Sequence, residues 1–96
     1  MNQPASFRFR LYITGEAPNS VQAMANLQAL CREHLPDRHE IEVVDVLREP
    51  KRALADGILL TPMVVKWFPV PGCQILGTLS RTQTVLQALG LPGPAK

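Results

Sequence analysis

The residues able to do chemistry are few, and their spacing suits little of it. Cys31 and Cys73 stand far apart and form no CxxC pair. Cys31 and His34 are three apart, so on a helix they would share a face, and Asp37, His39 and Glu40 follow closely. A zinc site needs a second ligand pair at comparable spacing, and the chain has none. A solvated helix end accounts for His34 and His39. Glu16 and Asp45 are the candidate acid–base carboxylates. Glu16 falls near a helix N-terminus, where a carboxylate is stabilised in any case. Asp45 interrupts an apolar strand, where pairing with a nearby Arg or Lys explains it better than catalysis does. Gly72, Gly77 and Gly90 are isolated and make no phosphate-binding loop. Arg48, Lys51 and Arg52 gather around one short helix, either as a solvated face or as a patch that steers an acidic partner.

The elements that must position these groups follow from periodicity. Phe7, Phe9, Leu11 and Ile13 alternate with Arg8, Arg10, Tyr12 and Thr14, which predicts a strand ending at Gly15. Pro18-Asn19-Ser20 opens a helix, with Asn19 or Ser20 as the expected cap and Gln22 placed for a capping box. Its apolar side reads Val21, Met24, Leu27, Leu30, Cys31 and Leu35, and Pro36 stops it. Glu40 to Leu47 is a second strand, parallel to the first because a long helix joins them. Pro50 suits the first turn of a short helix from Lys51 to about Asp56, which Gly57 closes. Thr61-Pro62, a candidate cis bond, precedes a third strand, Val64–Phe68. Val70-Pro71-Gly72-Cys73 carries the type II turn signature, and Gln74–Gly77 should return antiparallel. Ser80-Arg81-Thr82-Gln83 reads as a capping box before Val85, Leu86 and Leu89, with Gly90 and Pro92 as the stop.

The predicted order is βαβ-α-ββ-α, the outline of an α/β thioredoxin-like domain. In such a domain the helix after the first strand opens with the redox cysteines, whose low thiolate pKa needs that helix N-terminus. Here the stretch is Glu16-Ala17-Pro18-Asn19. Cys31 falls late on the apolar side of the helix, where core packing is the expectation. Cys73 follows a turn and has no assigned role.

Ninety-six residues make one domain, expected as 1–96 with a core from about 7 to 91 and loose tails at 1–6 and 92–96. A net charge of +2 is too weak to argue for nucleic acid. The polar start lacks the apolar core of a signal peptide, and no apolar run is long enough to span a bilayer. A cytoplasmic protein without membrane attachment is expected. A core this small leaves little stability to spare, so self-association as a dimer or tetramer would help.

Leu11-Tyr12-Ile13-Thr14-Gly15, Pro18-Asn19-Ser20-Val21, Asp45-Val46-Leu47, Pro50 and Ile58-Leu59-Leu60-Thr61-Pro62 occur in one ordered set. Lys66, Pro69, Pro71, Ile75, Gly77, Leu79 and Ser80 continue it. Together they resemble the KaiB family of circadian clock proteins from about Phe9 to Leu91. The resemblance implies a protein that is not an enzyme, uses no cofactor or metal, and binds a KaiC-type ATPase in clock or stress-response signalling. It points to Arg48, Pro50, Lys51 and Arg52 as partner-binding residues. It also implies two folds: the thioredoxin-like form, and a ground-state form in which the second half is rearranged. Thr61 and Pro62 would mark the junction, with Pro69, Pro71 and Gly77 in the rearranging part.

The chain departs from the family at several points. Pro69-Val70-Pro71 stands for a run of three prolines, and Gly72-Cys73-Gln74 replaces the basic pair that follows. Gly77-Thr78-Leu79 stands for Gly-Asp-Leu, Glu42 and Gly57 replace basic residues, and the acidic tail is missing. These departures argue against a KaiA-like partner. They imply a non-cyanobacterial homologue without the full oscillator. The alternative function is a redox-inactive thioredoxin-like adaptor or chaperone with no KaiC partner.

Overall fold

A computed structural model describes residues 6–91 of the chain; the expected loose tails lie outside the described residues except for Ser6. β1 (Phe7–Ile13), α1 (Pro18–His34) and β2 (His39–Asp45) form a crossover unit, with β1 and β2 parallel. α2 (Pro50–Ala55) follows, then the antiparallel pair β3 (Met63–Phe68) and β4 (Cys73–Leu76), then α3 (Thr82–Leu89). The sheet order is β2-β1-β3-β4, and β3 runs antiparallel to β1. This is the expected thioredoxin-like layout.

Alternation along β1 sorts the two faces. Phe9, Leu11 and Ile13 bury against α1 and α3, joined by Leu27, Leu30, Cys31, Val64, Leu86 and Leu89. Tyr12 points the other way and buries with Val44, Ala53 and Ile58 beneath α2. The second face is only partly covered, because α2 has 6 residues against 17 in α1. Arg8 and Arg10 therefore remain on open sheet. The Arg8 guanidinium lies 5.3 Å from the centre of the Trp67 ring, and that of Arg10 lies 5.8 Å away.

Three local expectations are corrected. The cap of α1 is Ala17, with no side-chain hydrogen bond, and Asn19 and Ser20 lie inside the helix. Ser20 is buried, and its hydroxyl accepts the Thr14 N–H at 3.1 Å, so it ties the helix to the end of β1 instead of capping its own turn. Val21, expected on the apolar side, is exposed, and the buried stripe runs through Ser20, Ala23, Leu27, Leu30 and Cys31. The Ser80 box does not form: Arg81 precedes α3 without a side-chain cap, and the Ser80 hydroxyl pairs with that of Thr78 at 2.7 Å.

The hairpin turn also differs from the type II expectation. That turn needs positive φ at Gly72, and Gly72 is not among the positive-φ glycines. Its glycine is required for another reason: a Cβ there would lie 2.9 Å from the Lys66 carbonyl oxygen. Thr61-Pro62, Phe68-Pro69 and Val70-Pro71 are cis. Gly90, at φ 78°, is the left-handed C-cap that ends α3 as expected, whereas Pro92 lies outside the described residues.

Candidate functional site

The redox position holds no thiol chemistry. Ala17 and Pro18 begin α1, and exposed Glu16 and Asn19 flank them. Cys31 is fully buried in the main core, and burial pushes its thiol up to about 12, so it stays protonated and shielded. Cys73 is half-buried at the start of β4. Thr61, next to Pro62, shares a 2.5 Å hydroxyl–hydroxyl hydrogen bond with Thr14 at the end of β1. That contact pins the segment entering β3 to the crossover unit.

The metal candidates do not converge. His34 is half-buried beside Glu33 at 3.8 Å, and His39 Nδ1 donates to the Leu35 carbonyl at 2.7 Å. Among the described residues no group of three His, Cys, Asp or Glu side chains is placed to hold a metal. Asp45 serves structure: its Oδ1 accepts the Gly15 N–H at 3.1 Å and the Leu47 N–H at 3.0 Å, and Arg48 lies 3.9 Å from Oδ2. Those bonds fix the turn that leads from β2 into α2.

The basic cluster is split by its ion pairs. Arg52 is engaged within the molecule: it reaches Glu42 at 2.8 Å, Glu49 at 3.5 Å and Asp56 at 3.9 Å. Hydrogen bonding to Arg52, then to Arg10, holds the Glu42 carboxyl below the usual range. Tyr12 donates to Asp56 at 2.5 Å, and burial is the main reason its phenol is pushed up. Arg48 and Lys51, by contrast, are exposed on either side of Pro50, and the Arg48 side chain is 86% accessible.

Leucines complete this end of the molecule; Leu59 and Leu60 entered above only as marks of the family resemblance, Leu47 also as the end of an expected strand, and Leu54 not at all. Leu47, Leu54, Leu59 and Leu60 are all exposed, Leu59 at 85%. Lys51 and Leu54 stand three apart on α2, so they share its outer face, while Ala53 is buried beneath. So many bare leucines in the segment from 47 to 60 are unusual for a small soluble surface. A groove of about 790 Å³ adjoins it, lined by Ile13, Val21, Met24, Val43 and Arg48 among others. The missed signal was available: Ile58-Leu59-Leu60 precedes Pro62 without the alternation of a half-buried strand.

Comparisons with known proteins agree with this layout. Residues 10–91 match the KaiB domain family. The circadian clock protein KaiB3 of Synechocystis sp. is 43% identical over 82 residues, which cover 85% of this chain and 80% of that protein. The N-terminal domain of SasA from Synechococcus elongatus superposes with a TM-score of 0.66 at 19% identity, covering 100% of this chain and 94% of that one. Chloroplastic thioredoxin z superposes with a TM-score of 0.72 at 17% identity, covering 88% and 76%. At such identities the two structures speak to the fold alone.

Proposed function

The chain belongs to the KaiB family of circadian clock proteins, and on that premise we propose that it is a non-enzymatic regulator that docks on a KaiC-type ATPase. The observation that carries the reading is the exposed end from Leu47 to Leu60, where bare leucines surround Arg48, Pro50 and Lys51. Apolar anchors supply affinity on desolvation, and exposed cations at the rim steer an acidic partner. Arg52 contributes by holding α2 against Glu42 on β2.

The test is association of the purified chain with a KaiC-type ATPase, with ATP and slow equilibration. Wild type should bind. Arg48→Glu with Lys51→Glu should weaken binding at least about tenfold, and so should Leu54→Ala with Leu59→Ala. Absence of a complex after long incubation rejects the docking role and leaves the redox-inactive adaptor.

A second part of the proposal concerns the segment after Thr61, which exchanges with a rearranged form. Among the described residues only two side-chain hydrogen bonds tie the first 60 residues to that segment: Thr14 to Thr61, and Asn26 to the Thr78 carbonyl at 2.7 Å. A single set of NMR signals at every temperature, with no exchange, would count against it.

A further inference from the structure

β4 and the start of α3 flank an open groove at one edge of the sheet. β4 is the last strand in the order β2-β1-β3-β4, so no strand lies on its outer side. The Gly77 N–H donates to the Pro62 carbonyl at 2.9 Å, toward the β3 side. By alternation Cys73 and Ile75 also turn their backbone polar groups toward β3, and Gln74 and Leu76 turn theirs outward. Among the described residues no backbone partner meets the outward pair. The chain that follows does not cover this edge. Leu79 takes a left-handed backbone conformation, φ 63°, that a leucine rarely adopts, and its side chain is buried. α3 then packs Val85 into the main core beside Ile75. A groove of about 280 Å³ is left, lined by Ile75, Leu79 and Val85, with exposed Arg81 and Thr84 at its rim.

We infer that this groove takes an extended segment of a partner protein as a fifth strand on β4, with an apolar side chain in the groove and a carboxylate at Arg81. Each part of the site asks for a different part of the ligand. The outward N–H and C=O groups of Gln74 and Leu76 pair with a backbone. Side chains of an added strand alternate between faces, so every second one points to the side where the groove lies. Ile75, Leu79 and Val85 receive an apolar group there. The next side chain on that face stands about 7 Å along the strand, within reach of a long cation at the rim. Arg81 is exposed and enters none of the ion pairs among the described residues. Gly57–Leu91 contains neither Asp nor Glu, so nothing on this side of the molecule competes for it. Its charge therefore selects an acidic segment. β4 has no carboxylate of its own, so a second copy paired through β4 would leave Arg81 unmet. The groove shares no residue with the exposed end from Leu47 to Leu60, and the inference does not depend on docking to an ATPase.

The probe is a short synthetic peptide of alternating valine and threonine in which glutamate replaces one valine. Titrated to about 1 mM into the isotope-labelled full chain and read by NMR, it reports dissociation constants up to that order. The amides of Gln74, Leu76 and Arg81 should shift, and those of β2 should not. The same peptide with lysine for glutamate should bind at least about fivefold more weakly, and Arg81→Glu, a change at an exposed side chain, should reverse that preference. Methylating the backbone nitrogens of one alternate set of peptide residues should abolish binding. Methylating the other set should leave it, because only one set faces β4. Unmoved Gln74 and Leu76 amides across the titration would overturn the inference. So would a glutamate preference that Arg81→Glu, shown folded by circular dichroism, leaves unchanged, or equal binding of the two methylated peptides. Movement of the same amides on concentrating the chain without peptide would give the edge to a second copy and would also overturn it.

Discussion

Glu42 and Arg52 lie 2.8 Å apart, and that contact decides which cations of the α2 region are free. By charge alone Arg48, Lys51 and Arg52 look alike, yet Arg52 meets three carboxylates, while Arg48 has Asp45 at 3.9 Å and an open side chain. The pairing has a pH signature. Arg52 and then Arg10 lower the Glu42 carboxyl in the folded chain. A lowered folded value means the pairing stabilises fully above the unfolded glutamate value of about 4.3 and is lost as pH falls through the folded one. Denaturant midpoints measured down the acid limb should therefore fall less steeply in Glu42→Gln than in wild type. The difference at neutral pH should be small, because solvent screens a pair this exposed. Coincident acid limbs would show that the pairing is not coupled to folding.

Among the elements, α3 depends on a residue of β3. Lys66 is 5% exposed, and its Nζ donates to the Leu89 carbonyl at 3.0 Å, in the last turn of α3. A cation there meets the negative end of the helix dipole and satisfies one of its orphan carbonyls. The Phe7 ring, 5.7 Å away, supports the charge from β1. Lys66→Met keeps the length and apolar stem but leaves the carbonyl unpaired. We expect a loss of about 1–3 kcal/mol in unfolding free energy, and faster hydrogen exchange in the last turn of α3 than in α1. Unchanged stability would show that water replaces the ammonium. Alternation in Met63–Phe68 marks a strand, but its one buried lysine reads as a break in the pattern until α3 is seen to end against it.

At the scale of the whole molecule, the core and the β1–β3 backbone ladder are continuous across Thr61, while side-chain hydrogen bonds across it are sparse among the described residues. Phe9, Leu11 and Leu27 pack with Val64, Leu79 and Leu86, so apolar burial together with the pairing of β3 to β1 holds the segment after Thr61 in place. Asn26 adds one hydrogen bond to the Thr78 backbone. Removing it with Asn26→Ala should cost about 1 kcal/mol in this arrangement and raise a rearranged minor population about fivefold, read by NMR exchange. An unchanged exchange contribution would mean the tether exists equally in both forms or that no second form exchanges. No helix among the described residues is long and apolar enough to cross a membrane.

The sequence by itself determined the element order, the parallel β1–β2 and antiparallel β3–β4 pairs, the burial of Cys31 and the absence of a redox pair, since these rest on local periodicity, connection length and residue type. It misplaced the caps at Asn19 or Ser20 and at Ser80, because a hydroxyl near a helix start can bond a neighbouring strand or loop instead, and local sequence does not say which is closer. Only the tertiary structure decided that Arg52 is held while Arg48 and Lys51 are open, that Lys66 is buried against α3, and that the leucines from Leu47 to Leu60 are bare. Those outcomes depend on which groups from distant parts of the chain meet in space. An arginine is free or occupied according to carboxylates 10 residues before it on β2 as well as 4 after it, and a leucine is exposed when no element remains to cover it.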